Sequence, residues 1–220
     1  MLITMTTIIT GTTQGLGQQL QTILVSELGE VITINRRSTD NPNELLCDLS
    51  SKEAVEKTKD ALLQKVTDQE VLFVLNAATY GDDETVSDIE PSVLGKLLYG
   101  NVFGQLSLVE TLLQAGKTVR LAAVSSGMGS ASLAPEPYHY AYSASKAALD
   151  LSIRLMSKQY QNLSYLIIDP GWMQTRMGGA GATENPKDVA QNFLRAVKDE
   201  SKWNNSSGML EVNTDEIIGW

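Results

Sequence analysis

A glycine-rich turn at the first strand-to-helix junction constrains this chain most. Thr6–Thr10 is a short β-branched run that ends in Thr10-Gly11-Thr12-Thr13-Gln14-Gly15-Leu16-Gly17. Leu20, Ile23, Leu24 and Leu28 then recur at helical spacing, and Gly29 closes that helix as a C-cap. The same alternation continues along the chain. Val31–Ile34 reads as a second strand and Leu45–Cys47 as a short third. Ser50-Ser51-Lys52-Glu53 reads as a capping box opening a helix to about Val66. Val71–Leu75 is a continuous apolar run, the pattern of a strand buried on both faces. Pro91 at a helix N1 position starts a long helix through about Gln114. Val119–Val124, a helix over Tyr140–Tyr160, and Tyr165–Ile168 follow, then a helix capped by Asn185-Pro186 to about Val197, and Met209–Val212 as a last strand.

Alternating strands and helices bury both faces of a sheet, and the connections make that sheet parallel. The expected architecture is therefore α/β, a Rossmann-type doubly wound parallel sheet of about seven strands with helices on both faces. No repeat, low-complexity linker or second core interrupts it, so residues 1–220 are expected to form a single dinucleotide-binding domain that also carries the catalytic site.

Glycine lets the backbone turn tightly and approach a pyrophosphate, while a helix N-terminus offers N–H groups and a positive dipole end. Gly11, Thr12, Thr13, Gln14, Gly15, Leu16 and Gly17 are accordingly cofactor candidates. The spacing is G-x-x-x-G-x-G rather than the commoner dinucleotide fingerprint, and a plain strand-to-helix turn is the competing reading. At the end of the second strand, an NAD enzyme tends to place an acid for the ribose 2′-hydroxyl. Here Asn35 is followed at once by Arg36 and Arg37, and a guanidinium grips phosphate through a planar fork. NADP(H) is thus expected over NAD(H), with a solvated strand end as the alternative. Asp48 and Leu49 end the third strand beside the expected adenine pocket. Asp48 either accepts from the adenine amino group or closes a turn.

Tyr142-Ser143-Ala144-Ser145-Lys146 places a phenol and an ammonium four residues apart on one helix face. The ammonium favours the phenolate, which draws the phenol pKa down from ~10 toward the range of a general acid. Such pairs are common on surface helices, so the neighbours matter. Ser126 closes the fifth strand in front of this helix. Asn101 lies inside the long preceding helix among apolar residues, where its amide wants a partner such as an ordered water.

Charge and composition exclude several classes. The net charge is −9, from 26 acidic against 17 basic residues, so no basic surplus exists to neutralise nucleic acid. A single cysteine, Cys47, and a single histidine, His139, rule out zinc sites built from such residues, and no metal site is expected. The lone cysteine fits a reducing compartment. No run approaches the ~20 apolar residues needed to cross a bilayer. Met1–Thr10 has no basic n-region or cleavage site, so a cytoplasmic location is expected.

The order and spacing of these pieces resemble the short-chain dehydrogenase/reductase family over essentially the whole chain. The matching pieces are Thr10-Gly11-x-x-x-Gly15-x-Gly17, Asp48, Asn76-Ala77-Ala78, Asn101, Ser126, Tyr142-x-x-x-Lys146, and Asp169-Pro170-Gly171 followed by Thr175. The resemblance implies a tetrad of Asn101, Ser126, Tyr142 and Lys146. Tyr142 would be the acid and Ser126 would polarise the substrate oxygen. Lys146 would lower the tyrosine pKa and hold the nicotinamide ribose, and Asn101 would anchor a water in the proton relay. It also places Asn76, Ala77, Ala78, Pro170, Gly171, Trp172, Met173 and Thr175 at the cofactor. One departure is Ala78, where the family usually has glycine; its methyl falls beside the expected adenine ribose. The segment Pro170–Gly179 and a tail ending in Trp220 resemble the sniffer-like and C-factor-like carbonyl reductase group.

The implied activity is NADPH-dependent reduction of a carbonyl in a small molecule: an aldehyde, ketone, diketone or quinone-like compound. The alternative is an NAD(P)-binding signalling or regulatory protein with little turnover. Met128, Pro135, Pro137, Tyr138, Trp172, Met173 and Met177 fall on loops gathered near the nicotinamide, either as an apolar substrate pocket with Ser126 or as core and interface. Gly178-Gly179-Ala180-Gly181-Ala182 reads as a mobile lid, and His139 as a rim residue. The family's pairing of long helices makes a homodimer or homotetramer the expected assembly.

Overall fold

A computed structural model describes residues 5–39, 41–81, 85–133, 137 and 139–220. Eight strands form one sheet: β1 (Met5–Thr10), β2 (Val31–Asn35), β3 (Glu44–Leu46), β4 (Glu70–Leu75), β5 (Thr118–Val124), β6 (Leu163–Asp169), β7 (Gly208–Glu211) and β8 (Glu216–Gly219). Their order is β3-β2-β1-β4-β5-β6-β7-β8, with every pair parallel except β7–β8. The sheet therefore has one strand more than the sequence suggests. β8 is polar at one end and short, and it pairs antiparallel through a tight turn at Asp215, whose φ is 65°.

The helices are α1 (Gly15–Leu28), α2 (Lys52–Lys65), α3 (Pro91–Leu98), α4 (Gly104–Gln114), α5 (Tyr140–Gln159) and α6 (Pro186–Lys198). Side chains alternate across each strand, so the sheet feeds two cores. Ile8, Val71, Phe73, Leu121 and Ile167 pack on one face against Leu62 of α2, Val109 of α4 and Leu149 of α5. Ile9, Leu72, Val74, Leu166 and Ile168 pack on the other against Leu20 and Leu24 of α1 and Phe193 of α6. The central strands need apolar residues on both faces, which is why they read as unbroken hydrophobic runs.

Two local expectations are corrected. The N-cap of α2 is Ser51, whose hydroxyl accepts from the Ala54 N–H, rather than Ser50. Ser50 is instead drawn to Asp48, which accepts from both its backbone N–H and its hydroxyl. The long helix from Pro91 is also not continuous. Residues Tyr99–Phe103 form a π-helical turn between α3 and α4, centred on Asn101. Such single π-turns displace the hydrogen-bond ladder and are frequent at functional positions.

Gly104 sets how closely this segment meets the third strand's loop. A Cβ there would lie 2.1 Å from the Leu49 carbonyl oxygen, a backbone atom that cannot swing aside. Gly104→Ala should therefore cost about 1–3 kcal/mol of stability through overpacking. Gly95→Ala, one helix earlier with nothing within 4 Å of its Cβ, should gain roughly 0.5–1 kcal/mol. Urea unfolding of both variants checks this; equal stabilities would show that α4 does not approach Leu49 as described.

Candidate active site

The glycine loop between β1 and α1 lies at the carboxyl end of the sheet, where the strand order reverses and open α/β folds bind ligands. Gly11 has φ of 73° and Gly15 of 59°, conformations that L side chains rarely adopt. A Cβ on Gly17 would lie 2.0 Å from the Gly11 carbonyl oxygen, so only glycine allows the loop to fold onto the helix. α1 starts with no side-chain cap and no acid in its first turn. Its first N–H groups are left for an anion, with Thr13 and Gln14 exposed beside them. This cradle fits a dinucleotide pyrophosphate.

Several residues expected at the cofactor turn inward to build the loop instead. Asn35 is buried; its Oδ1 accepts from the Thr12 N–H at 2.8 Å, and its Nδ2 donates to Thr12 Oγ1 and to Glu44. Thr12 is buried with it, so its backbone N–H is spent on Asn35 rather than on phosphate. Asn76 donates from Nδ2 to the carbonyls of Thr10 and Gly11. Gly11 lies against Ala77, where a Cβ would come within 2.8 Å of Cα. Arg36 and Arg37, by contrast, are exposed at the strand end, with Arg36 near enough to Asp48 to help hold its carboxyl below the usual range. The larger cause of that lowering is the pair of bonds from Ser50, so Asp48 closes a turn. Ala78 and Leu49 are half-buried nearby.

Gln105, which sequence reading overlooked, ties this loop to the π-turn. Its Oε1 accepts from the Thr10 hydroxyl at 2.6 Å, and its Nε2 donates to the carbonyls of Ala77 and Asn101. A polar residue four positions after Asn101 in an apolar stretch was the available signal. Asn101 itself is satisfied without water. Its Oδ1 accepts from the Thr79 N–H, and its Nδ2 donates to the Thr79 carbonyl and to Ser145 Oγ. The amide thus fastens the segment after β4 to α5, and the expected water on its side chain is not required.

Ser126 stands at the end of β5, where its Oγ accepts from the Met128 N–H and its hydroxyl meets that of Tyr142. Lys146 is 2% exposed; its Nζ donates to the Val124 carbonyl at 2.8 Å and lies 5.6 Å from the Tyr142 ring centroid. Tyr142, Ser126 and Lys146 therefore converge. The phenol pKa runs against the expected lowering. Burial pushes Tyr142 up to about 12, the hydrogen bond with Ser126 pulls the other way, and the Asp169 and Asp150 charges add to the rise. Burial likewise draws Lys146 down to about 8.

The loop after β6 closes the site from the far side. Asp169 accepts from the Gly171 N–H, Pro170 is buried, and Gly171 has φ of 74°. Thr175 approaches Gly15, its methyl lying 3.4 Å from where a Cβ on that glycine would stand. The expected lid is tethered: Gly178 N–H donates to Thr175 Oγ1, and Trp172 Nε1 donates to the Gly178 carbonyl at 2.7 Å. Met173 bridges to Glu184. Trp172 is 57% exposed, Met177 is exposed and Met128 is half-buried, so apolar surface rims the site. Pro137 is exposed, while Pro135 and Tyr138 lie outside the described residues. His139 stands at the N-cap position of α5 with φ of 55° and packs its ring edge-on against Tyr80. Among the described residues no cluster of His, Cys, Asp or Glu could hold a metal, and no helix is long and apolar enough to cross a membrane.

The fold and this loop-and-helix site define a Rossmann-type α/β protein with a glycine-rich turn at the carboxyl end of its sheet. The family model described as short chain dehydrogenase matches residues 5–185, and the chain belongs to that family. It is 30% identical to the C-signal of Myxococcus xanthus over 131 residues, 57% of this chain and 79% of that one. Among solved structures it resembles the carbonyl reductase Sniffer of D. melanogaster, with a TM-score of 0.79 and 21% identity over 98% of this chain and 99% of that one. A carbonyl reductase from Pseudomonas aeruginosa PAO1 in complex with NADP gives 0.78 and 23% over 98% and 100%.

The raised phenol pKa makes a spectroscopic prediction. A tyrosine whose folded pKa is raised keeps its proton in the fold, a contribution present below ~10 and lost as pH climbs toward 12. Subtracting the ultraviolet titration of Tyr142→Phe from that of the wild type should show no phenolate from Tyr142 below about pH 10. A difference band rising near neutrality would show that Lys146 already stabilises the phenolate without cofactor.

Proposed function

We propose that this chain is an NADP-dependent reductase of small carbonyl compounds, converting an aldehyde, ketone, diketone or quinone-like substrate to the alcohol. The observation that carries the reading is the convergence of Tyr142, Ser126 and Lys146 at the end of β5, on the same carboxyl edge of the sheet as the glycine loop. NADPH, when bound, supplies the hydride. Tyr142, held protonated by burial, gives its proton to the substrate oxygen, and Ser126 offers that oxygen a hydroxyl. Lys146 binds the nicotinamide ribose and carries positive charge against the phenolate that Tyr142 becomes. Asn101 acts through Ser145 and Thr79, positioning α5. Trp172, Met177 and Met128 favour an apolar or aromatic substrate.

Arg36, with Arg37 beside it, holds the 2′-phosphate, and the exposed Thr13 supports it. The protein works in the cytoplasm as a homodimer or homotetramer; exposed Phe103 on the π-turn and Leu151 and Leu155 on α5 support the assembly. The likeness to a protein named C-signal favours a second reading, an NAD(P)-binding signalling protein with little turnover.

Turnover decides between these readings. NADPH consumption against a panel of aldehydes, diketones and quinones should reveal turnover, and Tyr142→Phe should reduce it at least ~10²-fold while leaving NADPH binding intact. No turnover across the panel favours the signalling reading; unchanged turnover in the variant removes Tyr142 as the acid. Separately, Arg36→Ala should weaken NADPH about ten- to a hundredfold and leave NADH nearly unchanged, since a charge-assisted phosphate contact is worth ~1.5–3 kcal/mol. Paired titrations at one ionic strength check it, and equal weakening of both cofactors would refute the phosphate assignment.

A further inference from the structure

Asp150 has no role in the site as described, yet it lies one helical turn beyond Lys146 on the face of α5 that carries Tyr142 and Lys146. It is 2% exposed, and neither carboxyl oxygen has a hydrogen-bond partner among the described residues. A buried carboxylate without donors is costly unless an opposite charge compensates it. Residues four apart on a helix are neighbours, so Asp150 stands beside Lys146 on this face. The strand above the pair repeats the arrangement. Val124 of β5 takes the Lys146 ammonium on its carbonyl, and the next residue, Ser125, brings a buried hydroxyl without a full hydrogen bond up to Asp150.

The other charges around the pair are already engaged. Asp169, from the end of β6, accepts backbone N–H groups of Gly171 and Gly127. Arg154, a further turn along α5, is half-buried and stacks 4.5 Å over the Trp220 ring. Tyr142 is directed at Ser126. Lys146 is therefore the near positive charge left to Asp150, whose facing donor among the described residues is the Ser125 hydroxyl.

We propose that Asp150 is the positioning residue of this site, a buried counter-ion that keeps the Lys146 ammonium charged and seated at the carboxyl end of β5. The inference rests on the reductase reading for its consequence but not for its geometry. Burial acts on the pair from both sides, raising Asp150 to about 7 and drawing Lys146 down to about 8, while each partner's charge opposes the other's shift. Around pH 7–8 the two groups are thus coupled, and the charge of one sets the proton affinity of the other. The raised Asp150 favours the fold most below the ordinary carboxylate range and loses that contribution as pH rises through about 7. The lowered Lys146 costs stability as pH falls through about 8, and a charged Asp150 reduces that cost.

The test is nuclear magnetic resonance of the cofactor-free protein carrying ¹³Cε-labelled lysine, with Lys146→Met assigning the resonance. In Asp150→Asn the Lys146 midpoint should fall by about 1–3 pH units, the effect of removing a close opposite charge. In the wild type the same resonance should show a second, smaller inflection at lower pH as Asp150 ionises, a measurement that stands even if the variant does not fold. An unchanged midpoint in Asp150→Asn, or a single inflection in the wild type, overturns the proposal. Turnover then separates the two readings. If the midpoint falls and NADPH-dependent turnover of Asp150→Asn falls about tenfold or more with NADPH affinity reduced severalfold less, both hold. If the midpoint falls but the wild type turns nothing over, the counter-ion stands and the reductase reading fails.

Discussion

The Thr10 hydroxyl donates to Gln105 Oε1 and accepts from the backbone N–H groups of Asn76 and Ala77. It is buried, and these partners satisfy it fully. Through it, the end of β1, the end of β4 and the start of α4 are held in one polar knot inside an otherwise apolar sheet. Leaving any member without its partner would strand a buried donor or acceptor at about 1–3 kcal/mol. Because Asn76 also donates to Gly11, the glycine loop cannot shift without breaking that knot. The shape of the cofactor cradle is thus set from behind, by groups that need not touch the cofactor.

The knot also explains the π-turn. Gln105 donates to the Asn101 and Gly100 carbonyls as well as to Ala77, so carbonyls displaced from the regular ladder find a side-chain donor. With the turn in place, Asn101 reaches both Thr79 and Ser145. The segment after β4 and the helix carrying Tyr142 and Lys146 are thereby joined through one amide. Energetically, the site is a string of polar groups, satisfied from Thr10 to Asn101, with charge concentrated at its α5 end, where Asp150 and Ser125 lack full partners.

Much of this was legible along the chain. Periodicity placed β1 to β7 and the helices to within about two residues at their outer ends, though not β8 or the π-turn, since a strand buried on both faces and an amphipathic helix leave different repeats. The glycine loop and the Tyr142/Lys146 spacing were legible because each acts through local backbone geometry. Asn35, Thr12 and Asn76 were assigned to the cofactor by their position, but whether an amide faces outward or binds the adjacent loop depends on the register between β1, β2 and β4. Gln105 was not singled out, because its partners Thr10 and Ala77 lie on distant segments.

By itself, then, the sequence determined the alternating α/β order, the two-sided burial of the central strands, the cradle and the face of α5 that carries the phenol and ammonium. These depend on contacts within a few residues and on the repeat of apolar side chains. Tertiary structure alone decided which polar groups were already satisfied, and so which remained for a ligand. It also decided the proton affinity of Tyr142, which burial raises against the lowering expected from Lys146. The spacing of two residues on a helix says that they are neighbours, but the direction of the ammonium was settled by the carbonyl of Val124, on a strand packed beneath it. Desolvation is a property of the assembled interior, and no local pattern encodes it.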